Sequence, residues 1–195
     1  MDNILVLYYS SGGSTKQLAQ LIARGVEEQG LEAIMRTVPR VSANSQATED
    51  EIPTDGDLYV TLDELSNCGG LAVGSPSRFG NMAAPLKYFI EQTSEYWMTG
   101  KLSGKPVSFF CSSSSMHGGQ EATLLSMMIP FLHHGMLIAG IPYSETELLR
   151  TEGGGTPYGV THWNGHGNNR PISETEKSLA IAQGKRLAML TKKLN

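Results

Sequence analysis

Short apolar runs alternate with amphipathic segments along the chain. A continuous apolar run is typical of a strand that is buried on both faces, as the strands of a parallel sheet are. Between the runs, apolar residues recur every three or four positions, which predicts helices that pack on the sheet. The sequence therefore predicts five strands, over residues 4–9, 31–38, 70–74, 107–111 and 136–141.

The helices between these strands begin and end at residues that favour such positions. Gly30 supplies a stop for the first helix, and Pro85 stands in the first turn of a later one. This alternation predicts one α/β domain over residues 1–195, a doubly wound five-stranded parallel sheet with helices on both faces. Helices are predicted from Lys16 to the Gly30 stop and over residues 63–65, 83–92, 121–133 and 173–193, and loops over residues 96–98 and 153–170.

Three polar loops follow the first, third and fourth predicted strands. In a doubly wound sheet such loops lie outside the carboxyl ends of the strands, where ligands bind. The first loop, residues 10–15, has four hydroxyl side chains and two glycines just before a helix. It therefore offers hydroxyl and backbone donors to a phosphate, although it matches neither the dinucleotide motif nor a P-loop. A solvated turn with an N-capping hydroxyl is the alternative here.

The second and third loops carry groups that suit a flat ring and a polyhydroxyl chain. The second loop has Arg78, Phe79 and the backbone beside Gly80, and the third, residues 112–120, is rich in serine and glycine. An arginine can offset the electron density that builds on a reduced ring. The sequence shows no metal-ligand cluster and no pairing of a nucleophile with a base, so a bound cofactor is the simpler source of chemistry. FMN fits all three loops.

Composition narrows the class of protein further. The net charge of −4, without a basic stripe, argues against a nucleic acid partner. The N-terminus has no leader-like pattern, and the longest apolar run is too short to span a membrane. Cys68 and Cys111 match no metal or redox spacing and predict buried free thiols in a reducing compartment. We therefore expect a cytoplasmic protein without membrane insertion and without a metal.

Five strings of residues are specific in combination. They are Tyr8-Tyr9-Ser10, Pro76-Ser77-Arg78-Phe79-Gly80-Asn81-Met82, Gly118-Gly119-Gln120-Glu121, His133-His134-Gly135-Met136 and Gly155-Thr156-Pro157-Tyr158-Gly159. Together they closely resemble the WrbA family of flavodoxin-like, FMN-dependent NAD(P)H:quinone oxidoreductases, and the resemblance spans nearly the whole chain.

The resemblance implies noncovalent FMN and two-electron reduction of quinones to hydroquinones by NADH or NADPH, through ping-pong hydride transfer. The flavin then carries the chemistry and no side chain is catalytic. It also implies a homotetramer whose active sites draw on neighbouring subunits, and it makes Trp97 the aromatic lid over the substrate. The FMN contacts that carry over are Ser10, Ser11, Gly12, Gly13, Ser14, Thr15, Ser77, Arg78, Phe79, Ser113, Ser114, Ser115, Met116, His117, Gly118 and His133.

Other interpretations are compatible with the same residues. A flavodoxin-like electron carrier or a regulatory FMN-binding module would need the same loops, and a chain that had lost its cofactor would be a scaffold. Arg78 is alternatively a surface cation, His133 a charge at a helix C-terminus, and Trp97 a core residue. Gly12 stands where relatives often have an aromatic residue that helps to hold the nicotinamide nucleotide. Residues 40–57 are assigned no role.

Overall fold

The computed structural model describes residues 3–42, 52–167 and 169–194. Parallel strands form one sheet, with the order β2-β1-β3-β4-β5 and with β6 paired to β4. This order is that of the flavodoxin-like doubly wound fold, so the predicted fold class is confirmed. The strands are β1 (Asn3–Tyr8), β2 (Glu32–Thr37), β3 (Gly70–Pro76), β4 (Pro106–Ser113), β5 (Leu137–Ile138) and β6 (Val160–Trp163).

The fifth position of the sheet is shared by two short strands. β5 pairs with Pro106 and Val107 at the start of β4, and β6 pairs with the end of β4, from Phe110 to Ser113. Between them the chain leaves the sheet, and the Ile141 N–H donates to the Pro157 carbonyl instead (2.9 Å). The prediction of one strand over residues 136–141 was therefore too long, and β6 lies in a stretch that was predicted to be a loop.

Helices cover both faces of the sheet. Residues 96–98, predicted to be in a loop, lie in a short helix that buries none of its side chains, so no apolar periodicity marked it in the sequence. No helix in the described ranges combines the length and the apolar composition that a membrane span requires. The helices are α1 (Ser14–Glu27), α2 (Leu62–Asn67), α3 (Ala84–Glu91), α4 (Ser94–Thr99), α5 (Gln120–His133) and α6 (Glu174–Leu194), with a 3₁₀ turn at Thr146–Leu149.

The core has two halves, one on each face of the sheet. Alternate residues of β1 divide between them: Ile4 and Val6 pack towards α1 and α6, whereas Leu5 and Leu7 pack towards α2, α3 and α5. All four side chains are at most 1% exposed. β1 is thus covered on both faces, as its continuous apolar run predicted. Residues 43–51 of the polar stretch 40–57 lie outside the described residues.

Helices α1 and α6 cross at a pair of glycines. A Cβ atom added at Gly25 would lie 2.1 Å from the Ile181 carbonyl oxygen, and one at Gly184 would lie 2.1 Å from that of Ile22. Each backbone therefore contacts the other with no room for a methyl group. The crossing holds α1 in place against α6. Because the loop after β1 leads directly into α1, the end of that loop is held in place as well.

A buried contact between a histidine and a carboxylate ties β6 to α6. His162 Nδ1 lies 3.1 Å from Glu176 Oε1, and the two side chains are 1% and 0% exposed. Glu176 also accepts hydrogen bonds from the N–H groups of Gly154 (2.9 Å) and Ser173 (2.7 Å). Burial alone raises the pKa of the Glu176 carboxyl, but the hydrogen bonds from His162 and Ser173 lower it overall. The carboxylate is therefore held in its ionised form inside the protein.

Gly184→Ala is expected to destabilise the protein by about 1–3 kcal/mol, because the added methyl group forces α1 and α6 apart. In a solvent-exposed helix the same substitution would stabilise the protein by about 1 kcal/mol, so a loss of stability here indicates the close crossing. Urea unfolding measures the difference. Ser178→Ala, at an exposed position of α6, is the matched control and should change stability by less than about 0.5 kcal/mol. A Gly184→Ala protein as stable as the wild type would contradict the crossing.

Glu176→Gln is expected to make the free energy of unfolding less dependent on pH in acid. Because the pKa of Glu176 is lowered in the folded state, its contribution is complete above the ordinary value of 4.5 and is lost as the pH falls through the folded-state pKa. Free energies of unfolding measured from neutral pH to about pH 3 should therefore fall less steeply in the variant below that value. Glu174→Gln, whose side chain is 89% exposed, should keep the wild-type slope. Equal slopes in Glu176→Gln and wild type would refute the role of the pair.

Candidate cofactor site

The loops after β1, β3 and β4 meet at the carboxyl edge of the sheet, as predicted. Arg78 Nη2 of the second loop donates to Ser11 Oγ of the first (2.9 Å). Ser77 Oγ of the second loop donates to the Gly118 carbonyl of the third (2.7 Å). The second and third loops also touch at Gly119, where a Cβ atom would lie 3.0 Å from the Cα of Gly80. The three loops therefore form one surface.

A small cavity of about 90 Å³ lies where these loops converge. Most of its lining comes from residues that were predicted to contact the cofactor. Two of the lining residues contact each other, with Thr15 Oγ1 and Ser112 Oγ 2.8 Å apart and buried. The lining residues are Ser10, Ser11, Gly12, Ser14, Thr15, Pro76, Arg78, Ser112, Ser113, Ser114 and Asn164.

Three hydroxyls around the cavity each accept a hydrogen bond from a nitrogen. Ser10 Oγ accepts from the Gly13 N–H (3.1 Å), Ser11 Oγ from Arg78, and Ser14 Oγ from Asn164 Nδ2 (3.3 Å). A hydroxyl that accepts one hydrogen bond still has its own O–H to donate. The internal bonds of the loop thus leave three O–H donors for a group in the cavity.

The N-terminus of α1 adds backbone donors at the same point. α1 begins at Ser14, and its N-cap, Gly13, has a φ of 89° and makes no side-chain cap. The N–H groups of a first helical turn have no intrahelical acceptor, and the helix dipole favours an anion there. In the described part of the chain, no carboxylate lines the cavity. Hydroxyl donors, backbone donors and the Arg78 guanidinium therefore converge on the cavity, and these are the groups that can bind a phosphate.

The second loop presents an aromatic ring at the tip of a tight turn. The Arg78 N–H donates to the Asn81 carbonyl (2.8 Å) and the Asn81 N–H to the Arg78 carbonyl (3.0 Å). Between them, Phe79 has a φ of 54° and Gly80 a φ of 75°. Phe79 is fully exposed. A bulky residue in the left-handed region is strained, and such strain tends to occur at functional sites.

The third loop is held mainly by its own hydrogen bonds. Ser113 Oγ accepts from Gln120 Nε2 (2.7 Å) and donates to the Ser115 carbonyl (2.7 Å). Met116 and His117 are exposed and lie outside the cavity lining. The predicted contacts Gly13, Ser77, Phe79, Ser115, Met116, His117 and Gly118 therefore flank the cavity, whereas Ser10, Ser11, Gly12, Ser14, Thr15, Arg78, Ser113 and Ser114 line it.

His133 and Trp97 are brought together with each other but not with these loops. Both line a separate cleft that also includes Lys87, Glu91 and His134. His133 is the last residue of α5, which begins just after the third loop and is 14 residues long. At 1.5 Å per residue, His133 lies about 20 Å along the helix from that loop. His134 is buried and bonded to Thr93 (2.9 Å), which gives it a structural role.

Three lining residues were missed by the sequence predictions: Pro76, Ser112 and Asn164. The first two belong to strands that extend further than the apolar runs suggested. Asn164 follows β6, whose four residues include a valine, a threonine and a tryptophan. That β-branched and aromatic content was the available signal for a strand, but the glycines on both sides of it suggested a loop.

The two cysteines take no part in nucleophilic chemistry. Both are free and buried, as predicted. Burial raises the pKa of the Cys68 thiol to about 11 and that of Cys111 to about 12. Because only the thiolate is a nucleophile, both groups are inert at neutral pH.

Known proteins are similar to this chain in sequence and in architecture. The family described as NADPH-dependent FMN reductase matches residues 3–145. The NAD(P)H dehydrogenase (quinone) of Solidesulfovibrio magneticus is 39% identical over 200 residues, which cover 98% of each chain. The WrbA-like protein of Agrobacterium tumefaciens superposes with a TM-score of 0.67, at 19% identity and over all of both chains. Oxidised Flavodoxin 2 from Bacillus cereus superposes with a TM-score of 0.55, at 14% identity and over 98% of each chain.

The two structural likenesses show the flavodoxin-like fold, and the sequence matches go further. The family match covers well over half of the chain, and the 39% identity extends over almost all of it. The flavin- and nicotinamide-dependent chemistry in the family's description agrees with a site that offers donors but no nucleophile of its own. The chain thus belongs to the NADPH-dependent FMN reductase family and is a flavodoxin-like oxidoreductase.

Proposed function

We propose that the protein is a WrbA-type NAD(P)H:quinone oxidoreductase that binds FMN noncovalently and reduces quinones to hydroquinones with two electrons. The observation that carries this proposal is the cavity at the N-terminus of α1, which is lined by donors at the meeting point of three loops. Quinone as the substrate class is supported by the relative named NAD(P)H dehydrogenase (quinone), which is 39% identical along 98% of the chain.

The residues present fit the phosphate of FMN. Ser10, Ser11 and Ser14 each have an O–H to donate, and the first turn of α1 adds N–H groups. A dianion needs such donors and no bridging metal. We assign Ser113 and Ser114 to the ribityl chain and the exposed ring of Phe79, together with residues 115–118, to the flavin ring.

Arg78 contributes positive charge at the phosphate end of this site. Arg78 is exposed, and its guanidinium donates to Ser11 of the first loop. It would offset the charge of the phosphate and part of the negative charge that builds up on reduction. When bound, FMN would supply the redox chemistry, which is ping-pong hydride transfer from NADH or NADPH to a quinone. The residues of the chain bind and orient the reactants, and we assign none of them a catalytic role.

We also propose that residues 1–195 form one flavin-binding domain that works in the cytoplasm. One sheet carries both halves of the core, and β6 joins the same sheet late in the chain. Two buried free thiols suit a reducing compartment.

We propose further that four copies of the chain assemble into a homotetramer. Helix α5 exposes Leu125, Ile129 and Leu132 in one stripe, at 45%, 57% and 57% of their surface. A helix that is apolar on its outer face needs a partner for that face. His133 ends the same helix and lies too far from the loops of its own chain to contact FMN there. A neighbouring subunit would bring His133 and Trp97 to the site together.

An absorbance spectrum tests the oxidoreductase function. We expect the purified protein to bind added FMN, and the flavin bands to bleach with NADH or NADPH and to return on addition of benzoquinone. The cycle should repeat, and denaturation should release all of the flavin because it is not covalently bound. Free FMN at the same concentration is the control for the uncatalysed reaction.

Two other results would each overturn part of this proposal. Bands that never bleach with NADH or NADPH would favour an electron carrier over an enzyme. A protein that binds no FMN would refute the flavin site itself.

Ile129→Glu is expected to disrupt the tetramer, because it places a charge in the apolar stripe of α5. Light scattering after size-exclusion chromatography should give the mass of four chains for the wild type and a smaller mass for the variant. Met189→Glu introduces the same charge at a side chain that is 46% exposed, on α6 at the opposite face of the sheet, and should leave the mass unchanged. A monomeric wild type, or a tetrameric Ile129→Glu, would contradict the assembly through α5.

A further inference from the structure

Asn164 reaches the phosphate cavity from a part of the chain far from the three loops. It follows β6 and is 7% exposed. Its Nδ2 donates to Ser14 Oγ (3.3 Å), and its backbone N–H donates to the Ser113 carbonyl (2.9 Å). One residue therefore contacts both the first and the third loop at the cavity.

The segment that carries Asn164 is attached to the same edge at several points. The Arg170 N–H donates to the Asn164 carbonyl (3.0 Å), and the Arg170 guanidinium lies 4.2 Å from the centre of the Trp163 ring. Trp163 Nε1 in turn donates to the Ser114 carbonyl (3.2 Å). His162 Nε2 lies 3.2 Å from the Arg170 carbonyl, which links the segment to the buried pair with Glu176. These contacts attach the segment around Asn164 to the third loop and to α6.

The bond between Asn164 and Ser14 determines what Ser14 can offer to the cavity. An amide NH₂ group can only donate, so Ser14 Oγ must be the acceptor. The hydroxyl proton of Ser14 is then left to point at a group in the cavity. A carboxylate at position 164 would do the reverse, because it would accept that proton and add a negative charge beside the phosphate.

We propose that Asn164 is a positioning residue for the FMN phosphate, which acts by directing the Ser14 hydroxyl into the cavity. This inference rests on the proposed function, since it assumes that the cavity holds the phosphate of FMN. It adds a residue from the connection between β6 and α6 to a site otherwise made by the loops after β1, β3 and β4. Because the effect is on the phosphate, it should distinguish FMN from riboflavin, which has the same ring and ribityl chain.

The test compares the affinities for FMN and riboflavin, measured by flavin fluorescence titration of apoprotein. Asn164→Asp should weaken FMN binding by about 100-fold, because a like charge and a reversed hydrogen bond face the dianion. Riboflavin affinity should change by less than about threefold, since riboflavin has no phosphate. Asn164→Ala, which only removes the donor, should weaken FMN binding by about tenfold. Asn67→Asp makes the same change at an exposed position near the amino end of β3 and should bind both flavins like the wild type.

The outcomes separate this inference from the proposal on which it rests. Wild-type protein that binds no FMN would remove the proposed function and the inference with it. Wild-type protein that binds FMN, with variants that bind it equally well, would refute only the role of Asn164. A parallel loss of FMN and riboflavin affinity in both variants, or an equal loss in Asn67→Asp, would show a general structural effect and would also refute it. Circular dichroism of each apoprotein establishes that it is folded before titration.

Discussion

The parallel pairing of β1, β3 and β4 is the constraint on which the site depends. Tyr8 pairs with Gly74, and Pro76 pairs with Ser112, so the three strands end at nearly the same level. The loops that follow them therefore lie next to one another because of the strand register alone. The strand pairing already brings the loops together. The hydrogen bonds from Arg78 to Ser11 and from Ser77 to Gly118 then join neighbouring loops.

In the first loop, three serine hydroxyls act as hydrogen-bond acceptors towards other groups of the protein. Nitrogen donors bond to the hydroxyl oxygens of Ser10, Ser11 and Ser14, so the protons of these three hydroxyls remain available to a group in the cavity. The same arrangement explains why serines suit this loop better than carboxylates or amides would. The lining is therefore made mostly of neutral donors, to which Arg78 adds the one guanidinium in the described lining.

The sequence predicted the strands and the three loops because continuous apolar runs and clusters of serine and glycine are local signals. It did not predict α4, whose side chains are all at least partly exposed, or β6, which has four residues between glycine-rich turns. Asn164 could not be placed for a related reason. Its contact with Ser14 depends on β6 lying beside β4, and that pairing is set by the vacant end of the β4 edge beyond β5 rather than by any nearby residue. His133 shows a different limit, since a motif suggested a cofactor contact there but the fold places His133 in a separate cleft.

The hydrogen bond between Ser14 and Asn164 joins residues 150 positions apart. Contacts at such long sequence separation form late, because the intervening chain has to be ordered first. During synthesis, the first loop emerges long before the strand that completes its surroundings. The cavity with Asn164 beside it is therefore a product of the finished fold, and retention of a flavin there would show that the last strand and the final helix have reached their places.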